Sequence, residues 1–321
     1  MKNKEFYYCK GLSGESTYHT CINADLSISC NCNDYDGHGQ IGNLNIDSFE
    51  DIWKNSNKTA QKFRDELSNG NLPISNCGWC PARVVVNEQV SQEKRLKSDF
   101  PKGIMIENSV ACNYKCVGCD PARKRLFLAR NKFKMSLDDV TKVSETCKSI
   151  GINHIYYHNL SEPFSSNTIL EELQLIRTYL PSVFISVSTN AGLINTDEKR
   201  KAALLMDEVY CSIDGGSQES AQIYQVNIKF SEVIENVKNL IKLRNQNNSN
   251  TKIIWKYVTF PWNDSEIEIK KAISIAKEIE CDNIYFNVGV CGSNPSEFYK
   301  QDFFKDLQPK HIGEYYIISF K

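Results

Sequence analysis

The stretch Cys112-Asn113-Tyr114-Lys115-Cys116-Val117-Gly118-Cys119 constrains this chain more than any other. Its C-x3-C-x2-C spacing leaves one short loop able to hold three corners of a metal cluster. A cubane iron–sulfur cluster has four irons, so one iron lacks a protein ligand and stays open to a small molecule. Just upstream, Gly103-Ile104-Met105-Ile106-Glu107 reads as a short apolar strand. The cysteines therefore follow a strand's C-terminal end, where barrel-type α/β enzymes carry their chemistry. A zinc knuckle is the alternative, although zinc normally takes four ligands in paired C-x2-C groups.

From Lys102 onward, strand and helix patterns alternate as in a parallel α/β sheet or barrel. Further strands are expected at His154 to Asn159, Val183 to Asn190, Glu208 to Asp214, Lys252 to Phe260 and Asn283 to Gly289. Between them, Ser136 and Asp139 form a capping box, and Val140, Val143, Cys147 and Ile150 recur at helical spacing. That stripe makes Cys147 a core residue. Further helices run through Leu173 and Ile176, from a Thr196 cap, through Val233, Val237 and Leu240, and through Ile269, Ile273, Ala276 and Ile279. Six β/α units with right-handed crossovers predict an open partial barrel.

The residues before this are a cysteine-rich α+β module. Thr17 to Asn23 and Ser27 to Cys32 read as two strands around a tight turn. A helix follows Ser48, with Asp51 completing its cap, and a second lies near Phe63 and Leu67. Cys77-Gly78-Trp79-Cys80 closes the module. Cysteines on a hairpin and in a C-x2-C turn make a four-thiolate site, for an iron–sulfur cluster or a structural zinc. Residues 84–101 are polar and charged and read as a helix-like connector. The expected division is 1–83, the connector 84–101, and a barrel with its C-terminal extension over 102–321.

Thirteen cysteines in 321 residues would suggest disulfides in a small secreted protein. Here the odd count and the absence of an apolar stretch after Met1-Lys2-Asn3-Lys4-Glu5 favour reduced, metal-binding thiols in a cytoplasm. No apolar run approaches the ~20 residues of a membrane span. A formal net charge of -1, without a Lys/Arg cluster, offers no field for nucleic acid.

The cysteine spacing and its strand context resemble the radical S-adenosylmethionine (radical SAM) superfamily; Gly118 stands where the family often has an aromatic residue. The resemblance implies that the open iron chelates the amino and carboxylate groups of SAM, and that one electron cleaves SAM to methionine and a 5′-deoxyadenosyl radical. Ser161-Glu162-Pro163 is similar to the family's Gly-Glu-Pro element, which contacts the SAM amino group. Ser188-Thr189-Asn190-Ala191-Gly192 and Ser212-Ile213-Asp214-Gly215 are similar to two further family elements. They imply roles for Ser188, Asn190 and Ser212 in cofactor binding and for Asp214 near ribose or substrate.

The upstream order of hairpin cysteine, Ile41-Gly42-Asn43-Leu44, Ser-Phe-x-x-Ile-Trp helix and C-x2-C resembles the SPASM and twitch modules that hold auxiliary [4Fe-4S] clusters. Those modules usually follow the barrel; here the pattern precedes it. The resemblance implies Cys9, Cys30, Cys77 and Cys80 as auxiliary ligands, with Cys32 next, while Cys21 packs mid-strand.

If Ser212 and Asp214 face inward, Cys211 and Ile213 point at the helices. Cys281 opens the last strand away from the mouth and is structural. Cys291 follows that strand and is open to three roles: donating a hydrogen atom, ligating the auxiliary cluster, or packing. His158 is an acid–base candidate or a structural hydrogen-bonding group. Of Lys256 and Tyr257, only one can face inward.

These readings imply an oxidoreductase that abstracts a hydrogen atom from a small molecule, a carbohydrate or nucleotide-sugar in the first instance. A flavodoxin, ferredoxin or reductase would supply electrons, and an auxiliary cluster would take one from the substrate radical or bind the substrate. A peptide-modifying enzyme is the runner-up. A non-catalytic iron–sulfur or zinc sensor is the rival from another class, disfavoured by the polar groups at the strand ends.

Overall fold

The computed structural model describes residues 4–53, 58–96, 99–289 and 295–320. They form an α/β protein with a mostly parallel sheet, packed as two units. The first unit comprises Met1–Val110, Ala122–Ser161 and Glu171–Ile185; the second comprises Ala111–Pro121, Glu162–Leu170 and Ser186–Lys321.

In the first unit, β1 (Phe6–Cys9), β2 (Cys21–Ile22), β3 (Ser27–Ser29) and β4 (Gln40–Asn43) precede α1 (Phe49–Trp53) and α2 (Lys58–Ser68). β2 and β3 form an antiparallel hairpin whose turn is closed by Asp25. The Asp25 carboxylate accepts the Ser27 N–H at 3.0 Å and the Ser27 hydroxyl at 2.6 Å, while Leu26 takes a φ of 66°. Next come β5 (Arg83–Val86), α3 (Glu88–Leu96), β6 (Gly103–Ile106), α4 (Asp120–Ala129), α5 (Leu137–Ser149), β7 (His154–Tyr156) and α6 (Ile169–Tyr179).

Within this unit the strand order is β7-β6-β2-β3-β4, with β2, β6 and β7 parallel. The β2–β6 pairing needs Gly103: a Cβ there would lie 2.1 Å from the Thr17 carbonyl oxygen and 2.9 Å from the His154 Cβ. At the end of β6, buried Glu107 accepts Arg130 Nε at 3.0 Å and Asn159 Nδ2 at 3.0 Å, which ties three segments together. The capping box of α5 is present, and Val140, Val143 and Cys147 are buried as their spacing predicts. Connector residues 84–101 are not helical throughout. The β-branched run in β5 pairs antiparallel with β1, Cys9 opposite Arg83, before α3 begins.

The second unit holds most of β8 (Phe184–Thr189), then α7 (Asp197–Ala203), β9 (Glu208–Ser212), α8 (Gln218–Tyr224), α9 (Phe230–Gln246), β10 (Lys252–Thr259), α10 (Glu266–Glu278), β11 (Asn283–Val288), α11 (Asp302–Lys305), β12 (Lys310–Ile312) and β13 (Tyr315–Ser319). β8, β9, β10 and β11 are parallel neighbours in that order, and the antiparallel pair β13–β12 continues the sheet from β11. Side-chain caps from Thr196, Ser217 and Ser265 start α7, α8 and α10. The apolar face of α9, with Val233, Val237, Leu240 and Ile241, is buried. No described helix is long and apolar enough to cross a membrane.

Candidate active site

In the second unit the cysteine loop is held by backbone on one side and by a side chain on the other. The N–H groups of Lys115 and Val117 donate to the carbonyls of Val226 and Tyr224 at 3.1 and 3.0 Å. Asn190 Nδ2 donates to Asn113 Oδ1 at 2.8 Å and lies 3.7 Å from Cys112 Sγ. The N–H groups of Cys119 and Asp120 both turn back to the Cys116 carbonyl, at 3.1 and 2.8 Å. Gly118 has a steric explanation: a Cβ there would meet the Tyr224 hydroxyl at 3.0 Å, so the tyrosine fills the space a side chain would need.

The Cys116 thiol is pushed up to about 12, first by burial and then by Asp214, Cys119 and Cys112 around it. Cys116 thus resists becoming negative beside the other two thiols and Asp214, and a bound cation would offset that crowding of negative groups. The three thiols thus fit the open-cornered cluster that their spacing predicts.

Glu162 is fully buried and uses both carboxylate oxygens on its own chain. One accepts the Phe164 N–H at 3.1 Å and the Thr189 hydroxyl at 2.7 Å, and the other accepts the Asn190 N–H at 2.7 Å. Its pKa is raised by burial despite these donors. Pro163 begins a single 3-10 turn. Ser161, the last residue of its segment of the first unit, has a buried hydroxyl oxygen with no hydrogen-bond partner.

Beyond β8, Ala191 takes a φ of 57°, and a Cβ on Gly192 would lie 2.8 Å from the Tyr114 hydroxyl. The Thr-Asn-Ala-Gly corner is therefore shaped against the cysteine loop.

Asp214 follows β9 and is almost fully buried. Its Oδ1 accepts the Val258 N–H at 2.9 Å, and its own N–H donates to Gln225 Oε1 at 2.9 Å. Burial raises its pKa to about 7, opposed by the Val258 N–H and by Lys256. The Gln225 amide also donates to the Ser212 carbonyl at 2.9 Å. Asn263, fully buried, donates to the carbonyls of Asp214 and Val258 at 2.8 and 3.0 Å and accepts the Phe260 N–H at 2.6 Å. Sequence reasoning did not find Gln225 or Asn263. Asn263 lies in Pro261-Trp262-Asn263-Asp264, whose turn composition was its only signal.

The structure therefore brings Cys112, Cys116, Cys119, Glu162, Pro163, Ser188, Asn190, Ser212 and Asp214 into one unit. Cys211, on the opposite phase of β9, and Ile213, just after it, are buried, and Cys281 is buried as well. Cys291 lies outside the described residues. His158 belongs to the first unit, edge-on to Tyr156 at 6.2 Å between ring centroids.

The first unit holds a second set of thiols. Cys9, Cys30, Cys77 and Cys80 line one cavity, together with Asn31, Asp34, Trp79 and Arg83. Cys9 ends β1, Cys30 follows β3, Cys77 sits in a 3-10 turn and Cys80 precedes β5. The backbone amides of Gly11 and Leu12 favour the Cys9 thiolate, and those of Ala82 and Arg83 favour that of Cys80. Asn31 Nδ2 donates to Cys80 Sγ at 2.9 Å. Burial still raises all four, Cys9 to about 12. Cys32 does not line the cavity; burial and then Cys80 push it up to about 11. Cys21 is buried in β2. Among the described residues, no three His, Cys, Asp or Glu side chains stand close enough to share a single metal ion.

No curated protein matches the chain. Among solved structures it is similar to an archaeal TYW1, at 12% identity over 57% of this chain and 67% of that one, with a TM-score of 0.38. It is also similar to native anSMEcpe with bound AdoMet, at 16% identity over 57% of this chain and 50% of that one, with a TM-score of 0.43. The family model of the radical SAM superfamily matches residues 106–269, a span that holds the cysteine loop, Glu162, Asn190 and Asp214. Its members are enzymes that use a [4Fe-4S] cluster to cleave SAM reductively. With that match covering just over half of its length, the chain belongs to the radical SAM superfamily.

Proposed function

We propose that this enzyme oxidises a carbohydrate or nucleotide-sugar and carries a second, SPASM/twitch-like [4Fe-4S] cluster on Cys9, Cys30, Cys77 and Cys80. The observation that carries the auxiliary cluster is the shared cavity of these four thiols, with amide donors turned to the sulfurs of Cys9 and Cys80. Such N–H···S contacts stabilise cluster-bound thiolates and set cluster potential. A rearrangement of one local segment could not supply all four, because they come from chain positions as far apart as 9 and 80. On this reading residues 1–83 are the auxiliary-cluster domain, 84–101 the connector and 102–321 a partial (β/α)6 barrel.

The groups, when bound, supply an open iron for SAM and an electron acceptor for the oxidation. The residues of the chain supply the rest. Cys112, Cys116 and Cys119 hold the first cluster, and Asn190 fixes the loop through Asn113 and Cys112. Glu162 secures the adjoining strand end, while Pro163, Ser188 and Ser212 border the cofactor in the second unit. Asp214, buried and with one oxygen on the Val258 N–H, lies toward ribose or substrate. Electrons come from a cytoplasmic flavodoxin, ferredoxin or reductase.

The substrate half rests on the half-buried face of β9, β10 and β11 in the second unit, which carries Tyr210, Ser212, Lys256 and Tyr285. Anaerobic reconstitution tests the whole: iron near eight per chain, roughly two cubane clusters, with reductive formation of 5′-deoxyadenosine and turnover of a sugar substrate. Iron near four per chain removes the auxiliary cluster. Turnover of peptides in place of sugars removes the substrate assignment.

A further inference from the structure

Alternate residues on a strand turn to opposite faces of the sheet. On β9, Val209 and Cys211 are fully buried, while Glu208, Tyr210 and Ser212 are half-buried. On β10, Tyr257 is fully buried and its hydroxyl donates to the Asn263 carbonyl at 2.6 Å. Lys256, half-buried, is therefore the one of this pair that occupies the open face. Parallel pairing sets it opposite Ser212 on β9 and Tyr285 on β11. Ring contacts place the neighbours on the same face: Tyr210 and Tyr285 lie 5.8 Å apart, Tyr285 and Tyr315 5.6 Å apart, and Lys256 Nζ is 5.9 Å from the Tyr315 ring centre.

Lys256 carries a positive charge in the middle of this surface and makes no ion pair among the described residues. Asp214, which acts on it electrostatically, has one oxygen committed to the Val258 N–H. A partly buried ammonium group keeps its desolvation cost until an anion arrives to offset it. Lysine is also suited to phosphate as a point charge. Around it lie the Ser212 hydroxyl, able to meet a sugar hydroxyl, and tyrosine rings able to pack against a sugar or base; the Tyr210 hydroxyl itself donates to Glu208 at 2.6 Å.

We propose that Lys256 is the anion-binding residue of the substrate site, taking the phosphate of a sugar phosphate or nucleotide-sugar, with Ser212 and Tyr285 beside it and Tyr210 and Tyr315 as its aromatic walls. This rests on the carbohydrate reading above and adds to it the charge of the substrate and the residue that recognises it.

Calorimetry on the full-length, anaerobically reconstituted protein tests it. The probes are UDP-glucose, glucose 1-phosphate, glucose, inorganic pyrophosphate and, as a stable stand-in for the cofactor, S-adenosylhomocysteine. The phosphorylated probes should bind and glucose should not. Lys256→Met should weaken their binding about 10- to 100-fold, the loss expected for one charge-assisted contact. Lys256→Arg should weaken it less. Unchanged S-adenosylhomocysteine affinity in Lys256→Met shows that the variant is folded and that the anion is not the cofactor's carboxylate. Loss of that affinity in a variant whose circular dichroism is native assigns Lys256 to the cofactor and overturns the proposal. So does equal UDP-glucose affinity in wild type and Lys256→Met, which leaves the carbohydrate reading standing. Pyrophosphate binding that depends on Lys256, without binding of either sugar probe, keeps the anion site and removes the carbohydrate reading. Failure of every phosphorylated probe to bind the wild type removes the anion site.

Discussion

The carboxylate of Glu162 accepts the backbone N–H of Asn190 at 2.7 Å and, through its other oxygen, the hydroxyl of Thr189 at 2.7 Å. The Gly-Glu-Pro-like element thereby fixes the end of β8, and Asn190 in turn reaches the cysteine loop. A single buried acid thus fixes the strand end from which the Asn190 side chain reaches Asn113 and Cys112.

Glu162→Ala leaves three donors, from Phe164, Thr189 and Asn190, without their acceptor. Each buried unsatisfied group costs about 1–3 kcal/mol, so a loss of about 3 kcal/mol or more is expected in urea denaturation. Glu162→Gln, which keeps an acceptor, should recover part of it. An alanine variant as stable as the wild type would mean that the carboxylate does not organise this corner.

His19 gives the first unit a pH dependence. It is 5% exposed, its Nδ1 has no hydrogen-bond partner, and burial followed by the charge of Lys10 lowers its pKa to about 4. The fold favours the neutral ring, so between pH ~6.5 and about 4 the unfolded chain binds a proton that the folded one does not. Stability is therefore intact above pH ~6.5 and falls as pH drops toward about 4, by about 1–2 kcal/mol after allowance for solvent screening. Denaturation of wild type and His19→Gln across this range checks it. The difference between the two curves should narrow as the pH falls, and a difference independent of pH would show that His19 titrates normally in the fold.

Local chemistry was legible where the signal was local. The capping box at Ser136 and Asp139, the buried phases of Cys147 and Cys211 and the upstream hairpin turn all follow from nearest-neighbour patterns. For Lys256 and Tyr257, alternation alone said that one must face inward; the burial of Tyr257 and its bond to the Asn263 carbonyl, in the turn beyond the strand, decide which. β5 was missed because its partner is β1, far back in the chain, and because charged residues of α3 follow at once. The roles of Gln225 and Asn263 were hidden for a related reason. Both are polar side chains satisfying backbone groups of distant strands, and a sequence shows only their polarity. The cavity shared by Cys9, Cys30, Cys77 and Cys80 was expected only through resemblance, since spacing does not show which of several thiols converge.

The last prediction separates the two thiol sets by role. Cys112, Cys116 and Cys119 lie in the second unit, and Cys77 and Cys80 in the first. Replacing any of the first three should abolish 5′-deoxyadenosine formation, because the family's chemistry needs the cluster that they hold. A Cys77→Ala/Cys80→Ala protein should fall from about eight to about four irons per chain yet still form 5′-deoxyadenosine under reduction. Product formation from the sugar substrate should fail. Folding is the confounder, since a metal site that joins β1, β3 and a C-x2-C turn also stabilises the segments it joins. Circular dichroism and gel filtration must therefore match the wild type before rates are compared. If the folded double variant keeps eight irons, these thiols are not cluster ligands. If it loses four and still makes product at the wild-type rate, the second cluster is structural and the oxidation needs another electron acceptor.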